Sequence, residues 1–369
     1  MATWMVVVAL MHLRTSGWSW HYIQTGTHQI FSTQALHLYA DHPELQMGPA
    51  TFLVSSPFVL LVPSPLGHVL AMMAICVVGL LCLREVRLLT GTAWAVRERT
   101  FFAAAILFVP AWIEIAVRWE HPDDALALFC VVLALRFALT TRYLSSAIAL
   151  GVAADFKPWA VAFIPILLLS GRRYWLIGSV VWLGTVMVAW LPFLVFDHNT
   201  LRITSFAIAN DPASALRALG FSNSSTPTWC RAAQLIGGAL AAALLICRGR
   251  WAGIIAVVVA IRILMDPAAK NYYEGGLLLG TIAFDVILAA SLIPWTSIVA
   301  FILVYAPSYV LTQLPSGRGF TTALGLVAVI ALVFIVQIRE VPTAKLTAKH
   351  RHMPKLGSNF DVWRFSGRR

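Results

Sequence analysis

The stretch "GVAADFKPWAVAFIPILLL", Gly151 to Leu169, decides how this chain folds. It is apolar enough for a membrane, yet it carries Asp155, Lys157 and Pro158 in its middle. A charge at the centre of a bilayer costs at least about 2.5–3.5 kcal/mol. Proline removes a helical hydrogen bond and pushes the residue before it out of helix. Residues 143–171 would make about 43 Å of helix at 1.5 Å per residue. Two full crossings of a core of about 30 Å would need about 60 Å. The segment therefore reads as a re-entrant pair of short half-helices with Asp155 and Lys157 at the tip. A single long kinked helix, its Lys157 snorkelling or paired with Asp155, is the alternative.

Composition sets the frame for that reading. Of 369 residues, 59% are hydrophobic and 12% are charged, against about 25% charged in soluble domains. With a mean hydropathy of +0.79, the expected fold class is all-α, a polytopic membrane protein. The net charge of +11 lies largely between and after apolar runs, which suits cytoplasmic loops facing anionic lipid and argues against nucleic acid as a partner. The five cysteines show no metal-ligand spacing. No cleavable signal peptide is expected at the N-terminus: residues 1–13 lack a preceding charged region and a following small-residue site.

About ten transmembrane helices are expected: 1–13, 66–83, 101–117, 125–141, 174–195, 232–247, 251–265, 275–293, 297–313 and 320–337. They form one transmembrane domain, 1–337. Residues 14–65 are a long first exterior loop with an interfacial helix, 196–231 a second exterior loop, and 338–369 a basic cytoplasmic tail. Arg84, Arg87, Arg97 and Arg99 place the first basic loop inside. If 143–171 crosses once, Arg172, Arg173, Arg248, Arg250 and eight basic tail residues end up outside. If it returns, these twelve lie inside and only Arg202, Arg217, Arg231, Lys270 and Arg318 exchange with them. The positive-inside rule favours the return.

On this topology, eleven of the sixteen acidic residues gather on the exterior side. They lie in "HLYADHPELQMGPATF" (37–52), "EIAVRWEHPDDALAL" (114–128), the tip, 196–231 and "RILMDPAAKNYYEG" (262–275). Each piece has a structural reading. Asp124 could N-cap a helix starting near Ala125, Glu114 and Arg118 have ion-pair spacing, and Tyr272 and Tyr273 suit an interfacial belt. Together they point to a site at the outer surface. Sugar transfer from a polyprenyl-phosphate donor fits: a carboxylate accepts the acceptor's proton, and a cation steadies the leaving phosphate. The half-helix starting after Pro158 would also turn its N-terminal dipole toward an anion.

Three features carry a family resemblance: the first loop "WHYIQTG…HLYADHPELQMGPATFLVSSPF" (20–58), the "GVAADFKPWAVAFIPILLLSGRR" run (151–173), and the layout of many spans with a long first exterior loop. The chain resembles the GT-C superfamily of membrane glycosyltransferases. It looks most like the actinobacterial polyprenyl-phosphate-mannose-dependent α-mannosyltransferases, glycosyltransferase family eighty-seven. An Asp that family members often place early in the first loop is missing here, where 16–22 reads "SGWSWHY". The resemblance implies Asp41 as catalytic base, with Glu44 second, and Lys157 on the donor phosphate. His42, Asp123, Asp124, Arg262, Lys270 and Tyr272 are the further substrate- and phosphate-binding candidates. It implies an inverting transfer of a sugar, mannose first, to a lipid or glycan acceptor at the plasma membrane. No cofactor or metal is called for. The rival readings are a lipid or solute transporter, and a non-catalytic protein of cell-envelope assembly.

Overall fold

The computed structural model describes residues 1–12 and 16–338. The tail expected at 338–369 lies outside the described residues beyond Ile338, and the side chains of Arg172 and Arg173 are not described. Among the described residues the chain is all-helical, with two isolated β-bridges, Ala209 to Ser225 and Ala289 to Ile338. The main helices are α1 (Ala2–His12), α2 (Trp20–Ile30), α3 (Pro49–Leu60), α4 (Ser64–Thr90), α5 (Trp94–Ile113), α6 (Pro122–Leu139) and α7 (Tyr143–Phe156). A 3₁₀ half-helix, Pro158–Ser170, precedes α8 (Arg172–Phe196), α9 (Cys230–Cys247), α10 (Ile254–Leu264), α11 (Tyr273–Ile287), α12 (Trp295–Ala300) and α13 (Pro315–Ile335).

Among the described residues, five helices are long and apolar enough to cross a membrane: Ser64–Thr90, Trp94–Arg118, Tyr174–Phe196, Cys230–Cys247 and Pro315–Ile335. The second of these is α5 carried on by a π-helical turn, Glu114–Arg118. The other apolar helices are shorter. The core is built on α10 and α11, whose side chains are buried almost all round, and on the inward faces of α5 and α6. α10 and α11 meet at Gly280, where a Cβ would lie 2.1 Å from the Ala256 nitrogen. α8 is the opposite case. It packs along α7 and the 3₁₀ half-helix on one side and exposes most of the rest.

The opening stretch is broken where proline chemistry requires it. α7 ends at Phe156, and Lys157 is extended (φ −144°, ψ 113°), as expected before a proline. The chain then turns back. The rings of Tyr143, at the start of α7, and Tyr174, at the start of α8, stack with centroids 4.4 Å apart. Gly178 lies against both Ala147 and Leu167. The two ends of 143–171 are thus side by side, about 40 Å nearer than one continuous helix would leave them. Pro165 falls inside the second half, where it donates no hydrogen bond.

The first loop seals the tip. The Gly48 N–H and the Thr51 hydroxyl both donate to the Phe156 carbonyl, at 2.8 and 3.0 Å. That carbonyl ends α7 and has no partner within the helix. The approach is close enough that a Cβ on Gly48 would sit 1.9 Å from the Asp155 carbonyl oxygen. Residues 17–19 are tied to the turn after α5: the N–H groups of Gly17, Trp18 and Ser19 donate to the carbonyls of Val117, Arg118 and Trp119. Loop one, the 117–124 turn and the 157 tip therefore meet at one end of the bundle. At the other end lie Tyr143, Tyr174 and the Arg136–Glu85–Arg84 group.

Candidate functional site

α6 opens "HPDD". Pro122 takes the first helical position and His121 is the N-cap residue, because proline needs no amide donor there. This corrects the expected N-cap at Asp124. Both Asp123 and Asp124 lie in the first turn, and their carboxylates reach other elements. Asp123 accepts from the Lys157 ammonium at the tip, and Lys157 Nζ is also 3.5 Å from Asp124 Oδ2. Asp124 Oδ1 accepts from Arg262 Nη1 and from Trp159 Nε1, both at 2.9 Å. Arg262 stands at the end of α10 and is sandwiched by the rings of Trp159 and Tyr273, 4.2 and 4.1 Å from its guanidinium carbon. All of these charged side chains are buried.

Two carboxylates against two cations make the cluster neutral. Removing any one member would leave a buried charge uncompensated. His121, Asp123 and Asp124 offer ligand atoms within 4.8 Å of one another, a spacing that suits a cation. Here Lys157 and Arg262 supply that positive charge.

His121 extends the cluster toward loop one. Its Nδ1 is 3.1 Å from Asp123 Oδ1, its Nε2 is 3.0 Å from the Ser19 hydroxyl, and its ring stacks on Tyr272 at 3.9 Å. The residue before it, Glu120, is buried and left-handed (φ 55°). A non-glycine residue there stores about 1–2 kcal/mol, and such strain collects at functional sites. Burial pushes the Glu120 carboxyl up to about 7, while His68 beside it, Nε2 at 2.5 Å, pulls it down. Burial likewise raises Asp266, opposed by Arg262 and by the Ala268 N–H that caps it.

The expected residues separate into two groups. Lys157, Asp123, Asp124, Arg262 and Tyr272 come together. Asp41 does not join them: it is exposed at the end of a short helical turn, Leu38–Asp41, with no ion pair among the described residues. That turn is held by Tyr39, buried under Trp190 and Phe193, while Asp41, two positions on, faces outward. His42 and Glu44 pair with each other at 3.1 Å, both half-exposed. Lys270 lies over the Trp119 ring at 4.8 Å, outside the ion-pair cluster. Asp155, considered as a partner of Lys157, is not one; its Oδ1 is buried without a hydrogen-bond partner. Ser19 and His121 were not among the expected site residues. The signal for His121 was its place before "PDD"; Ser19 gave none, since only packing brings it 102 positions across the sequence.

A second buried network surrounds Glu114 in its π-helical turn. Tyr309 donates to it, Arg118 is 3.4 Å away as expected, and His12 Nε2 is 3.4 Å away. Compared with known proteins, the sequence matches no family model and no curated protein.

Proposed function

We propose that this chain is an integral-membrane glycosyltransferase. It takes a sugar, mannose first, from a polyprenyl-phosphate donor and passes it to a lipid or glycan acceptor at the outer face of the plasma membrane. The observation that supports this reading is the buried cluster at the break of the re-entrant pair. Lys157 and Arg262 supply the positive charge a leaving phosphate needs, and the carboxylates and His121 beside them supply proton acceptors. Trp159, Tyr272 and Tyr273 hold the Arg262 guanidinium and the His121 imidazole in place by stacking on them. The donor phosphate displaces a carboxylate from Lys157 as it binds.

The test is transfer by the purified protein in nanodiscs, with radiolabelled polyprenyl-phosphate mannose and extracted envelope lipids as acceptors. Wild type forms a labelled lipid or glycan. Lys157→Ala and Arg262→Gln each lower transfer by about 100-fold or more, the range for one electrostatic contact. Full activity in both variants would remove the cluster from the mechanism. The Glu114 network, buried within a helix, favours a transporter as second reading. That reading predicts solute flux in proteoliposomes that falls in Glu114→Gln and no sugar transfer.

A further inference from the structure

His121 sits between a carboxylate and a hydroxyl. Asp123 Oδ1 is 3.1 Å from Nδ1, and the Ser19 hydroxyl is 3.0 Å from Nε2. A carboxylate at Nδ1 holds the proton there, so Nε2 carries the lone pair and the serine donates to it. All three side chains are buried. The arrangement is fixed from both sides: Tyr272 stacks on the imidazole, and three backbone hydrogen bonds hold residues 17–19 to 117–119.

Those backbone bonds also narrow the chemistry. Acyl transfer needs free N–H donors for an oxyanion beside the serine. The N–H groups of 17, 18 and 19 are all spent on carbonyls. Glycosyl transfer needs no such donors, because the charge that develops at the sugar is positive. Asp123 and Asp124 have the sign that suits it.

We propose that Ser19, His121 and Asp123 form the proton relay that activates the acceptor hydroxyl. This rests on the glycosyl-transfer reading above and names its base. The acceptor oxygen bonds to the anomeric carbon as the bond from that carbon to the phosphate oxygen breaks, and the phosphate leaves with the electron pair. The acceptor proton passes to Ser19 Oγ while the Ser19 proton passes to His121 Nε2. Asp123 steadies the imidazolium, which then returns its proton to water. Ser19 touches the acceptor and is the catalytic residue; His121 takes the proton, and Asp123 positions it. The charged and titratable groups around the imidazole are Asp123, Asp124 (3.9 Å), Tyr272, and, through the carboxylates, Lys157 and Arg262, with the Glu120–His68 pair on the preceding residue.

The test is the pH profile of kcat/KM for sugar transfer. Wild type shows an acid limb. His121→Gln and Ser19→Ala lose that limb and fall by about 10²–10⁴-fold, the usual worth of general-base catalysis. Ser19→Thr, which keeps the hydroxyl, falls between them and wild type, and free imidazole restores part of the rate to His121→Ala. The limb persists in Glu120→Gln, which assigns it to the histidine. Variants that keep the wild-type rate and limb overturn the relay and leave glycosyl transfer standing. A wild type that transfers no sugar overturns both. Melting curves in detergent separate loss of fold from loss of relay, and imidazole rescue reports the relay directly.

Discussion

At the residue scale, the governing fact is that buried charge tolerates no vacancy. Lys157→Met removes the ammonium between Asp123 and Asp124, and we expect a loss of about 3–5 kcal/mol. Adding Asp123→Asn should recover part of that loss, because the two side chains form one pair. Thermal unfolding of the four species in detergent measures it. A double variant no more stable than Lys157→Met alone would argue that the pair is not coupled. Glu120 gives a pH prediction. Its carboxyl is raised from an unfolded value near 4.5 to about 7. A raised folded value means the contribution is full below about 4.5 and is lost as pH rises through about 7. Melting temperature should therefore fall between pH 5 and 8 more steeply in wild type than in Glu120→Gln. Parallel slopes in the two proteins would count against it.

At the scale of elements, two contacts define the folded-back pair of half-helices. Tyr143 and Tyr174 stack at one end. Cysteines at these two positions should be joined by a short bifunctional maleimide in membranes, in high yield. A continuous helix would keep them about 45 Å apart and give no cross-link. At the other end, Gly48 presses on the tip. Gly48→Ala puts a methyl group 1.9 Å from the Asp155 carbonyl oxygen, a backbone atom that cannot swing aside. We expect a loss of about 1–3 kcal/mol and faster proteolysis of loop one. Unchanged proteolysis would mean the loop is held elsewhere. The helix break itself was legible in sequence, because Pro158 dictates it to its own neighbour. The partner of Lys157 was not. Asp155 is two positions away and Asp123 is thirty-four, and the nearer acid looks the better match on paper. Asp155 lies in the last turn of α7, whereas the extended Lys157 after it reaches across to Asp123 on α6. Only its surroundings in the string, "LYADHPEL", single out Asp41 in the sequence. What decides its exposure is Tyr39, anchored by Trp190 and Phe193 from α8, a contact no local pattern carries.

At the scale of the molecule, apolar content and helical length gave the all-helical class and the candidate membrane helices. Short helices such as α10 are harder to read. Its residues are buried on every side, so hydropathy alone cannot tell a span from an interior rod. α8 poses the reverse case, with its apolar face left open. Its exposure is what hydrocarbon solvent permits, and it lets α8 shield α7 and the 3₁₀ half-helix, where the break at Lys157 and the 3₁₀ backbone would be costly to expose.

The neutral cluster has a consequence for encounter. Two carboxylates and two cations packed within a few ångströms cancel one another's field at any distance beyond a Debye length, about 8 Å at physiological salt. The site is electrically silent from outside. On the proposed reading, an anionic lipid donor would not be steered to it, as it would be to an open basic patch; it would arrive by two-dimensional diffusion and be recognised only on contact. Capture of the donor should then depend little on ionic strength, and a salt titration of donor binding from about 0.05 to 0.5 M should be nearly flat.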